Sequence, residues 1–531
     1  MPRYHYRRQA YKTPPELSGG VRGKQKIAIV GAGPIGLTLA IDLASRGVAS
    51  LLLDENDVVS AGSRAICWAK RSLEIFDRLG VGERMVEKGV TWKVARIYHR
   101  DRELYSFDLL PEAGHKMPAF VNLQQYYVEE YLIERARDFP QLLDLRFRNK
   151  VIGIRQEEAG VTLEVETPDG VYDLMVDYVV ACDGARSSIR SMLGLSFQGQ
   201  LFDERFLIAD IEMQADFPAE RRFWFEPTFH DGQSALLHKQ PDDVYRIDLQ
   251  LGREADAEKE KQIERVIPRI RAIVGDRPFD IHTVSVYSFQ CSRLERFVQG
   301  RVICAGDAAH VVSPFGARGG NGGIQDAEAL AWRLAALVKG KAGDDILSHY
   351  DAERTFAADE DIKNSLRTTA FMTPKSELER MMRSAVFDLS VELPFARRLI
   401  NSGRLSTPCS LARFYKSAGE PKRAPLAAGE VALDAPLERN GKRVWLLNQL
   451  GKDFALVTLG DVPPPVPAGV RGLQIGEGSE LQDREGFAEA RYGRGLSYLF
   501  RPDQRICAVF SEPDPRQIEA AIERELGRRT A

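Results

Sequence analysis

The sequence predicts an α/β chain of more than one domain, and three features predict it. The run Lys26–Val30, KIAIV, is short, apolar and rich in β-branched residues, as a buried parallel strand is. Gly31-Ala32-Gly33-Pro34-Ile35-Gly36 follows it and opens an apolar-periodic helix from Leu37 to Ala44; a second strand, Ala49–Leu53, then ends on Asp54. This is a βαβ unit opened by GxGxxG, the start of a Rossmann-like parallel fold. Far along the chain another buried strand, Arg301–Ala305, leads into Gly306-Asp307 and a long helix, Gly323–Val338.

The remaining elements follow in order. Gly47 closes the first helix as a C-terminal cap. Helical segments are predicted near Arg71–Leu79 and Tyr126–Arg137. From Val151 to Tyr178 apolar and polar residues alternate, with turns at Ala159-Gly160 and Pro168-Asp169-Gly170, which reads as a β-meander. Strand-like runs continue from Phe206 to Phe289. Gly419–Pro436 is rich in Pro, Ala and Gly and reads as a linker to a C-terminal unit. That unit holds strand candidates at Arg443–Leu447, Phe454–Leu459 and Ile506–Phe510 and a terminal helix, Pro515–Leu526; the proline-rich run Pro463–Pro467 is a loop. At the other end, Arg3, Arg7, Arg8 and Lys12 mark a basic arm that Pro14 and Pro15 keep from being helical, and it is expected to drape over the surface.

Composition excludes several classes of function. A length of 531 residues is about three domains at roughly 150 residues each. A 44% hydrophobic, 28% charged chain is not disordered, and a net charge of −3 gives no electrostatic footprint for nucleic acid. No stretch of about 18 uncharged apolar residues occurs, so no membrane span is expected; Arg333 interrupts the most apolar candidate, Ala329–Val338. The six cysteines, at positions 67, 182, 291, 304, 409 and 507, show no CxxC or zinc-finger spacing, so neither a metal site nor a disulfide scaffold is expected. They read as reduced thiols, and the N-terminus lacks a secretory apolar region, so a cytoplasmic location is expected.

The glycine-rich turn has a chemical purpose. Gly31 permits the tight turn, Gly33 lets a pyrophosphate reach the backbone at the helix N-terminus, and Gly36 allows close helix–strand packing. Asp54 would accept hydrogen bonds from the adenosine ribose. The motif alone leaves the dinucleotide open, and two later segments decide it. The first is Val179-Val180-Ala181-Cys182-Asp183-Gly184-Ala185-Arg186-Ser187-Ser188-Ile189-Arg190; the second is Gly306-Asp307-Ala308-Ala309-His310, with Pro314 and the loop Phe315–Gly323 after it. Together the three segments resemble the fingerprints of the flavoprotein aromatic hydroxylases, the para-hydroxybenzoate hydroxylase type of single-component FAD monooxygenase, along residues 26–340.

That resemblance implies FAD as cofactor and NADH or NADPH as co-substrate. It gives Asp307 a ribityl hydroxyl and gives the loop with Gly319, Gly320 and Asn321 the pyrimidine edge of the flavin, where open amides would stabilise negative charge. Asp183 and Gly184 match a segment serving FAD and pyridine nucleotide, anchored by Arg190. Arg64 resembles an arginine near the FAD pyrophosphate, and a guanidinium suits phosphate. Gln125 resembles a glutamine near the FAD, with Gln124 as the alternative in register. Asp326 favours the positive end of its helix, and His310 reads as structural. Many relatives carry glycine where this chain has Ala317. The adjoining Arg318 could assist hydride delivery, hold a substrate anion or brace the loop.

Substrate residues are drawn from Phe206–Phe289, where family topology puts the ring-binding sheet. Its candidates include Phe223, Trp224, Phe225, Tyr245 and Arg246. His238 and Tyr287 could act on a phenol's hydroxyl, because a phenolate is the stronger nucleophile. Trp68 is a candidate pocket wall. In the C-terminal unit, Tyr492-Gly493, Leu496, Tyr498-Leu499, Arg501-Pro502-Asp503 and Ala508 resemble the end of the thioredoxin-like domain of phenol hydroxylase-like members, which include the 3-(3-hydroxyphenyl)propionate hydroxylases. Without CxxC, dithiol chemistry is not expected there, and a structural or homodimer-supporting role is the default.

The expected layout is an extension at 1–25, an FAD-binding domain at 26–205 and 290–400, an inserted mixed β-sheet at 206–289, a linker at 401–430 and a thioredoxin-like α/β domain at 431–531. The expected activity is hydroxylation of a small phenolic or related aromatic compound by O2, through a flavin C4a-hydroperoxide. An FAD oxidase taking hydride directly from substrate, or a flavin-binding module without turnover, are the alternatives.

Overall fold

The computed structural model describes residues 4–528 except 18–24, 63, 231–232, 253, 315, 344, 401–404, 416–420, 422, 462 and 464–465. The apolar run after residue 25 forms the strand Gln25–Val30 at the centre of a sheet. It pairs in parallel with Ser50–Asp54 on one side and Gly170–Ala181 on the other. Leu143–Phe147 and Val302–Cys304 extend the parallel set outward. Ile27, Ala28 and Ile29 are wholly buried, since strands covered on both faces must be apolar throughout. The helices Pro34–Ser45 and Gly319–Val338 pack together over this sheet. The expected meander is present as Lys150–Glu157, Gly160–Thr167 and Gly170–Ala181, and the last strand runs on into the parallel sheet.

A second eight-stranded sheet holds the substrate side. Its centre is antiparallel: Asp280–Arg293, Gln198–Glu212, Val244–Gln250, Ser234–Lys239 and Arg221–Phe225. It also recruits Val94–His99, which pairs in parallel with Arg221–Phe225, and then Arg102–Asp108. The sheet therefore extends beyond residues 206–289. Alternation along each strand divides its faces. Leu207, Ala209, Ile211, Leu237, Ile247 and Leu249 bury one face under the helix Ile263–Val274. Phe206, Phe223, Phe225 and Leu236 turn to the other, where Met372 and Phe387 cover them.

The N-terminal arm drapes over the surface as expected. Tyr4 stacks on Tyr126 with centroids 4.1 Å apart, Gln9 N–H donates to Asp57 O at 2.6 Å, and Arg146 pairs with Glu16 at 2.9 Å. Of the four basic residues, Arg8 pairs with Asp57 at 3.0 Å, and Arg3 lies outside the described residues.

The C-terminal sheet runs Arg471–Ile475, Ala455–Leu459, Ser497–Phe500, Ile506–Phe510; the first pair is parallel and the others antiparallel. It is not a separate body hung on a linker. Trp332 Nε1 donates to Asp503 at 3.1 Å, Arg71 donates to Asp503 O at 2.8 Å, and Arg501 pairs with Glu353 at 2.7 Å. One hydrophobic cluster runs unbroken from Ile27 to Phe500 and Ile518.

Candidate active site

The three glycines of the first turn differ in what surrounds them. Gly31 has φ +107°, and a Cβ there would lie 2.5 Å from Cys182 O; one at Gly36 would lie 2.0 Å from Gly31 O. A Cβ at Gly33 would meet nothing within 4 Å. So two glycines are required by packing, while the third borders open space at a helix start that no side chain caps. That is the cradle a pyrophosphate needs. Asp54 accepts from Ala32 N–H at 2.6 Å and Asn56 N–H at 2.8 Å, which ties the second strand's end to the turn. Burial raises its pKa and those donors oppose the rise.

Asp183 accepts from Ile189 N–H at 3.1 Å and Ser188 Oγ at 3.2 Å, while its other oxygen is buried without a partner. Beside it Gly184 has φ +81° and open space where a Cβ would be. Arg190 donates to Ala185 O at 2.6 Å and Ala308 O at 3.3 Å, so it anchors this segment to the Gly306–Ala309 turn.

That turn is held from behind. Asp326, wholly buried, accepts from Gly306 N–H at 2.9 Å, His310 Nε2 at 2.7 Å and Arg354 Nε at 2.5 Å. Burial would raise its pKa, but Arg354 and His310 hold it at about 2. His310 is thus structural, as expected. Its neighbour Asp307 accepts no hydrogen bond from any described residue and lines the central cavity, with burial raising its pKa. Pro314, Gly319 and Gly320 line the same cavity. A Cβ at Gly319 or Gly320 would come no nearer than 3.6 Å to anything, and no side chain caps their helix. An orphan carboxylate beside open helix amides is a donor and acceptor set that fits a flavin's ribityl chain and ring edge.

Three loop residues serve differently from the simplest expectation. The Asn321 amide is taken up by Ala69 N–H, Cys67 O and Ala317 O, so it pins the loop to the strand Cys67–Ala69. Arg318 lines the cavity and donates to Asp361 at 3.0 Å, which favours bracing among its three open roles. Ala317, the departure from glycine, has φ +54°. Ala317→Gly is expected to raise stability by about 1 kcal/mol by relieving that conformation, read as a higher Tm.

Gln125 accepts from Ala65 N–H at 3.2 Å and donates to Glu129 at 2.7 Å, so it faces the Arg64 loop. The alternative, Gln124, donates instead to Pro241 O at 3.3 Å. Arg64 is exposed on the rim shared by the cavity and an adjoining recess.

The cavity itself has a volume of about 330 Å³ and lies between these loops and the substrate sheet. Phe206, Ile208, Leu236 and Phe289 make it apolar, and Trp68 walls it while donating to Leu123 O at 2.9 Å. Tyr287, opposite Phe206 in register, lines it too. One row across the sheet is polar: Thr283, Asp210, Arg246, His238 and Arg221, on five successive strands. Arg246 donates to both Asp210 oxygens, at 2.8 and 3.0 Å, and to Arg64 O at 2.5 Å.

His238 is poorly suited to the role of base. Burial, with Arg221 and Arg246 nearby, pushes its pKa well below the ordinary histidine value. Beside it, burial raises Asp248 to about 6 against the pull of Arg246. Cys67, Arg221 and Asp248 also line the cavity and were missed in the sequence. Period-two spacing in VYRIDLQ does put Asp248 on the face of Arg246, a signal that was available. Among the described residues no group of three metal-ligating side chains exists, and no helix is long and apolar enough to cross a membrane.

Residues 24–365 match the family described as FAD binding domain. Over 447 residues, 83% of this chain and 78% of the relative, the sequence is 28% identical to a 3-(3-hydroxy-phenyl)propionate/3-hydroxycinnamic acid hydroxylase of Mycolicibacterium smegmatis. It is 32% identical over 348 residues, 62% of this chain and 70% of the relative, to a flavin-dependent monooxygenase of Mycobacteroides abscessus. In fold it is similar to the flavin-dependent monooxygenase PieE in complex with FAD and substrate, with a TM-score of 0.80 at 22% identity, covering 96% of this chain and 100% of that one. It is also similar to p-nitrophenol 4-monooxygenase PnpA from Pseudomonas putida, with a TM-score of 0.64 at 25% identity, covering 72% and 98%. The matched span takes in the glycine-rich turn, the Asp183 segment and the Asp307 turn that borders the cavity, and the chain belongs to the FAD binding domain family.

Proposed function

We propose that the protein is an FAD-dependent, NAD(P)H-consuming monooxygenase that hydroxylates a phenolic or related aromatic ring. The observation that carries this reading is one mainly apolar cavity bounded by both the Asp307–Asn321 loops and the substrate sheet. Bound FAD supplies acceptance of a hydride from the nicotinamide and activation of O2. The chain supplies the rest. Asp307 and Asp183 would offer acceptor oxygens to hydroxyls of the cofactor, and the open amides at Gly319 and Gly320 would stabilise negative charge on its ring. The aromatic and aliphatic walls would shield the substrate ring from water.

Asp248 is the better-tuned acceptor for a phenol's proton, because a base works best with a pKa near the working pH. Turnover should therefore rise with pH through about 6 as its carboxylate ionises. Asp248→Asn is expected to lower kcat roughly 10–100-fold and to flatten that limb of the pH profile. A variant that kept the wild-type profile would remove Asp248 from this role.

The test of the whole reading is isotopic. Under ¹⁸O2, with NAD(P)H and a panel of phenols, product should carry one labelled oxygen. Flavin reduction by substrate, with unlabelled product, would instead favour an oxidase. The six unpaired cysteines support a reducing, cytoplasmic setting. The C-terminal sheet order and its closing helix, Pro515–Glu525, support a thioredoxin-like unit without dithiol chemistry.

A further inference from the structure

The N-terminal arm is tied down more closely than a surface tail needs. Fixing a chain segment costs conformational entropy that a few exposed contacts do not repay. Yet Arg8 and Gln9 both bond Asp57, Tyr11 and Thr13 donate to Asp169 at 3.0 and 2.5 Å, and Glu16 holds Arg146. These anchors deliver two rings to one place. Tyr4 stacks on Tyr126 and meets Tyr127 edge-on, with centroids 5.2 Å apart, and its hydroxyl donates to Glu130 at 3.1 Å. Tyr6 packs edge-on to Tyr4 at 4.9 Å and meets the backbone of Gly62, beside Arg64, while 41% of it stays exposed. The arm lies outside the span 24–365 that matches the family.

Behind the two rings lies a recess of about 470 Å³ that adjoins the active-site cavity, and Arg64, Ala65, Ile66 and Arg246 line both. The two chambers differ in character. The cavity is mainly apolar, whereas Asp210, Glu212, Asp242, His282 and Thr283 make the recess polar, and the buried Gln124 Oε1 there has no partner among the described residues. The polar row of the substrate sheet runs from one chamber into the other: Thr283 and Asp210 line the recess, His238 and Arg221 the cavity, and Arg246 both. Water entering from this side finds hydrogen-bonding partners along its way, which the apolar walls do not offer. We propose that Tyr4 and Tyr6 form the outer wall of this second approach, as positioning residues that keep bulk water from the substrate ring during turnover. This rests on the hydroxylase reading and deepens it. A monooxygenase must keep water from the oxygen activated at its flavin. Where that fails, NAD(P)H, a proton and O2 give NAD(P)+ and H2O2, and no oxygen reaches the ring.

The experiment reads entry and coupling separately in the FAD-loaded, full-length enzyme. Cys67 lines the cavity, so its alkylation by the neutral probe N-ethylmaleimide, followed by peptide mass spectrometry, reports access. Cys304 and Cys507 are wholly buried and report global opening. Tyr4→Ser with Tyr6→Ser leaves the other anchors in place. It should speed Cys67 alkylation about tenfold or more, because no local opening of the arm is then required, and leave Cys304 and Cys507 unchanged. The same variant should go on consuming NAD(P)H, while product formed per NAD(P)H falls by roughly half and H2O2 makes up the difference. Tyr4→Phe with Tyr6→Phe keeps both rings and should stay close to wild type in both measurements. Unchanged Cys67 alkylation in the serine variant, a parallel rise at all three cysteines, or an unchanged product yield per NAD(P)H would each overturn the seal. Faster Cys67 alkylation in a protein whose wild type oxidises no NAD(P)H with any aromatic compound would leave the second approach standing and overturn the hydroxylase reading instead.

Discussion

Gly33→Val is expected to yield a folded protein that no longer holds FAD. The backbone at Gly33 is extended, with φ −73° and ψ −179°, which valine adopts without strain. A Cβ there touches nothing, so the apoprotein's packing is undisturbed. The valine side chain would instead occupy the space over the helix start, where the pyrophosphate approaches. FAD affinity should fall by at least about 100-fold, or roughly 2.7 kcal/mol, while Tm of the apoprotein stays within a few degrees of wild type. Gly36→Ala should behave in the opposite way. Its methyl group would sit 2.0 Å from Gly31 O, forcing helix and turn apart at a cost of about 3 kcal/mol or more. Flavin absorbance after gel filtration, together with thermal melts, separates the two outcomes. Stoichiometric FAD in the valine variant would mean that the phosphates lie elsewhere.

Arg501→Ala is expected to be the most destabilising single change outside the cofactor turn. Arg501 is wholly buried and bonds Glu353, Asp503 and Glu525 at 2.6–3.1 Å. Its loss removes the central cation from three buried carboxylates, leaving Glu353 to Arg333, Asp503 to Trp332 Nε1 and Glu525 to the Tyr415 hydroxyl, which costs about 3 kcal/mol. The pH dependence follows. Burial alone would raise the Glu353 pKa, but Arg333 and Arg501 hold it at about 2, below its ordinary 4.5. Its contribution to stability is therefore complete above 4.5 and lost as pH falls from there to about 2. Without Arg501 the carboxylates take up protons at higher pH, so the acid transition should move upward. Urea melts at pH 7 and pH 4 measure both effects, and an unchanged acid transition would contradict the network's role.

The cofactor-side motifs were readable because several of their positions restrict the residue type, by backbone conformation or by the space left open. A φ of +107° at Gly31 tolerates few residues, and the open space at Gly33 is lost to a side chain, so the motif survives in one dimension. The substrate half was harder for a geometric reason. Alternation tells which residues share a face, but not which strands adjoin. Val94–His99 joins the sheet from more than a hundred residues upstream of its partner Arg221–Phe225. The polar row that ends at Arg221 exists only once five strands are aligned. His238 was read as a possible base from residue type alone. Its burial between Arg221 and Arg246, which lowers its basicity, is a fact of packing. Asn321 shows the same limit, since nothing local in the sequence reveals that its amide is occupied by Cys67 and Ala69.

The clasp between Trp332, Arg71 and the segment Arg501–Gln504 bears on the order of assembly. Protein chains emerge N-terminus first, and units usually fold as they appear. Here the helix that presents Gly319 and Gly320 rests on partners near residue 503, and those partners rest on Glu525. The helix that presents Gly319 and Gly320 therefore gains its full set of partners only after translation has passed residue 525. Ribosome-bound chains halted at residue 430 are therefore expected to hold FAD more weakly than the released full chain, even in its excess.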